Sequence, residues 1–344
     1  MKRIIVILIS LALLLCAAAS YAETAPAETP ARTTRIEAHF ASVEEGQQAM
    51  RNRTLYHKQI NEANLEFLLQ KKGGTLEEYI DYAAEQVLPF TEEDEKAIND
   101  ALDWLQQQLE RHGLTLPNPG PITYVKSTMK EDLGAGGYTS EGCIFLCERV
   151  FAAAPEAMRE YVVHETFHCL SRLFPEFRKA MYSLIGFRVL EEDIDIPQNL
   201  RDRFVANPDV EHHNSVATFT VNGEKKECYL LFMTDDVFEK PGDTFFTQMY
   251  SYVVPLGEST GCRADDVPDF WDVVGRNTDY VEDPEEAMAS NFWFAIQHLE
   301  DGYADFKNPE ILEGVVDILK AETPAAAALF GAGSASSSRC FRQA

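Results

Sequence analysis

The chain has 344 residues, 45% of them apolar, enough for one large domain or two closely packed ones. Its 56 aspartates and glutamates outnumber 30 lysines and arginines, for a formal net charge of −26. A surface of that sign repels nucleic acid and anionic membranes, so neither is expected as a partner, while cationic molecules would be drawn in.

The N-terminus, Met1-Lys2-Arg3 followed by an apolar run from Ile4 to Ala19 and then Ser20-Tyr21-Ala22, reads as a signal peptide over 1–22, cut after Ala22. Export to a periplasmic or extracellular compartment is the expectation, with no membrane span after cleavage. Lipid attachment at Cys16 is the rival reading, disfavoured by Leu15 where a small residue is wanted. Residues 23–34, rich in Ala, Thr and Pro, read as a flexible leader.

From 35 to 115 the pattern is helical. One helical stretch is predicted from about Ser42 to Leu69; Thr75 with Glu78 forms a capping-box signal for the next helix, ending before Pro89. Thr91 with Asp94 starts a third, which stops at Gly113. The period then becomes extended, with strands predicted at Ile122–Ser127 and Cys143–Val150 on either side of a glycine-rich loop. The second run is a candidate sheet edge for an extended peptide, with a fully paired internal strand as the alternative. Farther on, Asn222-Gly223 divides two strand-like runs as a hairpin turn, and Phe245–Val254 is a further strand candidate. Pro284 and Pro309 each open a helix, and 321–344 is a low-complexity Ala/Ser-rich tail.

Six cysteines follow the leader: Cys143, Cys147, Cys169, Cys228, Cys262 and Cys340. Export makes disulfides an expectation, but not between Cys143 and Cys147, whose Cα atoms in a strand lie roughly 13 Å apart.

Between Pro155 and Pro175 a helix carries His164-Glu165-Thr166-Phe167-His168. Residues four apart on a helix share a face, so His164 and His168 can hold one Zn2+ ion while Glu165 stays free beside it as a base. A catalytic zinc needs a third protein ligand. The metzincin pattern is excluded, because Ser171 and Phe174 stand where it requires Gly and His. The later stretch from Tyr280 to Phe292 offers Glu286, then Glu282, Glu285 and Asp279. With this second helix the chain resembles the gluzincin metallopeptidases. The resemblance implies Glu286 as third ligand, Ser290 in the position where that group usually has a supporting acid, and Glu165 as the catalytic base. Tyr280, His212 and His213 are the candidate donors to a developing oxyanion.

The expectation is therefore an α+β fold in which a helical region (35–115) precedes a zincin-like domain (116–320) with a small mixed or antiparallel sheet and an active-site helix. Its expected activity is zinc-dependent hydrolysis of a protein or peptide. A non-catalytic exported binding domain with a structural or vestigial zinc site is the alternative.

Overall fold

The computed structural model describes residues 30–320. The signal peptide, most of the leader, the Ala/Ser-rich tail, Cys16 and Cys340 lie outside the described residues. Among the described residues no helix is long and apolar enough to cross a membrane.

The fold is α+β. After β1 (Arg32–Thr33) and β2 (Ala38–Phe40), the stretch predicted as one helix is three: α1 (Val43–Arg51), α2 (Leu55–Gln59) and α3 (Glu62–Leu68). The breaks have local causes. Asn52 and Ile60 are not helical, and the Asn61 side chain accepts from the Asn64 N–H at 2.8 Å, starting a new helix inside the periodic stretch. The Thr75 capping box does start α4 (Leu76–Glu85), which β3 (Val87–Leu88) follows. α5 (Glu92–His112) begins at the Thr91 capping box and ends at Gly113, whose φ of +66° closes the last turn in the left-handed region.

β4 (Leu116–Pro117) pairs with β1. β5 (Ile122–Ser127) has the predicted bounds, whereas the Cys143 run is a strand only to Cys147 and then turns into a 3-10 helix. Between them lies an unpredicted strand, β6 (Gly137–Ser140), ahead of β7 (Cys143–Cys147). The order in this sheet is β2-β5-β7-β6, with β3 also on β5. β7 is therefore paired on both sides and offers no edge. The region 35–115 is not wholly helical either, since its β2 and β3 both pair with β5.

α6 (Pro155–Leu173) and α7 (Pro175–Ser183) each start at a proline, where the missing N–H costs nothing. Next come β8 (Arg188–Val189), the short α8 (Gln198–Arg201), β9 (Ser215–Val221), β10 (Glu224–Thr234), β11 (Met249–Pro255) and β12 (Cys262–Arg263). β8 to β12 form a second, antiparallel sheet in the order β12-β11-β10-β9-β8. Asn222 and Gly223, both at positive φ, make the two-residue turn between β9 and β10. α9 (Phe270–Val274), α10 (Pro284–Gln297) and α11 (Pro309–Leu319) complete the chain of elements.

α6 lies between α5, α10 and the first sheet. Val162, Phe167, Cys169 and Leu170 are all fully buried, so the second half of this helix has no single polar face, while its first turns, with Glu156 and Glu160, are exposed. Phe167 packs on Phe292 of α10 with ring centroids 5.6 Å apart, and Phe177 of α7 closes the cluster. These contacts fix α6 against α10.

Candidate metal centre

The helical spacing aligns His164 with His168, whose ring centroids are 4.9 Å apart. From α10, Glu286 places Oε2 at 3.1 Å from His164 Nε2 and 3.6 Å from His168 Nε2. Donors about 3.3 Å apart are what a tetrahedral shell at roughly 2.0–2.1 Å requires. Among the described residues, His164, His168 and Glu286 form one of two groups able to hold a metal ion. Of the four acidic candidates, Glu286 alone joins the histidine pair there. Asp279 is exposed, whereas Glu282 and Glu285 serve other bonds.

His168 is fully buried. Its Nδ1 meets Glu285 Oε1 at 2.9 Å, while its Nε2 has no hydrogen-bond partner among the described residues. Burial opposes its charge, but Asp209, Glu285 and Glu286 raise its pKa well above the ordinary value, so an ion binding at Nε2 would displace a proton there while the Nδ1 bond to Glu285 stays. The donor set and this orphaned nitrogen fit a zinc ion.

The supporting acid is Glu285 and not Ser290. Besides His168, Glu285 accepts from the Ser171 and Tyr182 hydroxyls, so α6, α7 and α10 meet at one carboxylate. Burial alone would raise its pKa, but the hydrogen bond and charge of His168 bring it below the ordinary value. Glu286 behaves likewise: burial opposes ionisation, and the His164 hydrogen bond with the charges of the two imidazoles holds it well below the usual carboxylate range. The α10 acids are buried, at 4% exposure for Glu285 and 1% for Glu286, rather than lining a rim.

Glu165 points to the first sheet. The Thr139 hydroxyl of β6 donates to its Oε2 at 2.8 Å, and Gly137 faces its Oε1, where an added Cβ would stand 3.4 Å away. Burial is the main cause of its raised pKa, only partly offset by the two histidines and Thr139. A base that holds a proton more readily is suited to proton transfer near neutral pH.

The segment 204–211, between the two sheets, supplies residues that sequence reasoning missed. Asp209 Oδ1 accepts from the Thr139 N–H at 2.7 Å and lies 3.8 Å from His168 Nε2; with Glu165 and His168 it makes the second ligand-like group. Asn207 Nδ2 donates to Glu286 Oε1 at 2.7 Å and Glu282 Oε2 at 3.0 Å. Neither has a spacing signal. His212 and His213, singled out from the same stretch, are turned elsewhere: His212 pairs with Asp193, and His213 contacts Gln59 and the Phe204 ring. Neither belongs to the ligand groups. Tyr280 is 45% exposed and lines a cleft beside the centre.

That cleft has two adjoining parts. A pocket of about 80 Å³ is lined by Asp132, Gly137, Asn207, Asp209 and Glu282; a larger one of about 340 Å³ reaches Tyr250 and Trp271, and both share Phe232, Met249 and Tyr280. The amides of Thr139 on β6 and of Glu141 in the turn after it are taken by the Asp209 and Glu211 carboxylates.

Cys147, Cys169 and Cys228 are buried thiols and Cys262 is half-buried; no disulfide joins these four to one another. Comparison with protein-family models, with curated proteins and with solved structures finds no match for this chain.

Proposed function

We propose that this protein is an exported, zincin-like zinc metallopeptidase that hydrolyses protein or peptide substrates. The observation that carries this reading is the buried, unpartnered Nε2 of His168 facing Glu286, with the free carboxylate of Glu165 on the same turn of helix. His164, His168 and Glu286 would hold the ion, which supplies a lowered pKa for water and polarisation of the scissile carbonyl. Glu165 Oε1, left open by the Thr139 bond to Oε2, takes the proton of the attacking water and passes it to the leaving amine. Glu285 keeps the His168 proton on Nδ1. The substrate lies in the cleft past Tyr280, whose hydroxyl is the remaining oxyanion donor among the three candidates.

Zinc content and peptide hydrolysis are to be measured for the wild type, Glu165→Gln and His164→Ala. Glu165→Gln should retain zinc and lose turnover by about 10²–10⁴-fold, whereas His164→Ala should lose both. Equal hydrolysis by all three proteins would sink the proposal.

A further inference from the structure

We infer that Asn207 is a positioning residue for the metal centre. It holds Glu286 in the orientation that turns Oε2 to the histidines, and is itself held by the helices α2 and α3. The inference rests on the zinc-site reading above.

Asn207 uses both ends of its amide. Oδ1 accepts from the Asp209 backbone N–H at 2.7 Å, which fixes which end of the amide is which. Nδ2 then faces two carboxylates, donating to Glu286 Oε1 and Glu282 Oε2. Glu286 thus has one oxygen committed to Asn207 and the other directed at His164 and His168. Released from Asn207, the carboxylate could turn about its last bond and bring either oxygen to the imidazoles, losing the single arrangement that metal binding requires. An acid at 207 would instead set a third carboxylate against Glu282 and Glu286.

The segment bearing Asn207 is anchored on both sides. Asn61 and Asn64 donate to the Phe204 carbonyl, and Asn64 Oδ1 accepts from the Ala206 N–H at 3.1 Å. Gln59 donates to the Val210 and Glu211 carbonyls, and Arg172 of the histidine helix to those of Pro208 and Asp209. Gln59 of α2, with Asn61 and Asn64 at the start of α3, therefore fixes the backbone from which Asn207 reaches the ligand. This gives the helices between β2 and β3 a part in metal binding.

Asn207→Asp and Asn207→Ala, made in the full chain, separate this role from a structural one. Aspartate keeps the acceptor for the Asp209 N–H, loses the donors and adds a charge; alanine loses both ends of the amide without adding charge. Zn2+ affinity is read by chelator competition, ligand geometry by the visible spectrum of the Co2+-loaded protein, and folding by near-ultraviolet circular dichroism. Both variants should bind Zn2+ about 10–100-fold more weakly and alter the Co2+ spectrum. Should the aspartate variant fail to fold, the alanine variant decides. A folded variant with wild-type Zn2+ affinity and Co2+ spectrum overturns the inference while the zinc site stands. A wild type that takes up no Zn2+ overturns both readings.

Discussion

Glu131 is fully buried; its Oε1 accepts from the Ser127 hydroxyl, and its Oε2 has no partner among the described residues. Burial pushes its pKa from 4.5 up to about 7. The folded protein therefore retains this proton where the unfolded chain has lost it. The stabilisation is complete below pH 4.5 and lost as pH rises through 7. Glu131→Gln, uncharged at every pH, should gain on the wild type across that window, by on the order of 3 kcal/mol above it. Urea unfolding of the metal-free proteins at several pH values checks this, and a gap that narrows with rising pH contradicts it. At this scale, what the sequence revealed depended on distance along the chain. His164, Glu165 and His168 lie within one helical turn, so their spacing alone announced them. Glu286 was reached only through the resemblance to the gluzincins, with Pro284 placing it on a helix. Asn207, Asp209 and the supporting role of Glu285 depend on how distant segments pack, and a short polar residue in a loop carries no periodic signal.

Among the elements, β6 bears most directly on the chemistry and was not legible at all. Its four residues follow a glycine-rich loop and lack the β-branched run that marked β5. Yet β6 brings Thr139 to Glu165 and Gly137 beside it. A Cβ on Gly137 would come within 3.0 Å of the Leu146 side chain and the Phe145 carbonyl, and 3.4 Å from Glu165 Oε1. Gly137→Ala should thus displace the base while leaving the metal ligands in place, lowering kcat with Zn2+ affinity unchanged. Parallel loss of zinc and turnover would contradict that division. Capping and turn signals located α4, α5 and the β9–β10 turn: Thr75, Thr91, Gly113 and Asn222-Gly223 fall at the boundaries they predicted. They failed between Ser42 and Leu69, where Asn61 reads equally well as a polar residue on an exposed helix face and as the cap that begins a new helix.

For the whole molecule, the boundary drawn at 115/116 is crossed by the first sheet. β2 and β3 pair with β5, and Trp104 of α5 meets Trp293 of the helix bearing Glu286, ring centroids 5.7 Å apart. A fragment of residues 116–320 would expose that sheet flank and lose the anchors of Asn207. It should lack a cooperative thermal transition by circular dichroism, and a fragment that melts cooperatively and binds zinc would refute this. The two ligand helices also set a timetable. His164 and Glu286 are 122 positions apart. At about 5–20 residues per second of synthesis, roughly 6–24 s pass between the emergence of one and the other. Throughout that interval the nascent chain lacks one member of the His164, His168 and Glu286 group. Any ion held by all three would therefore be taken up only after translation has passed Glu286, from the ions that surround the chain at that stage or later.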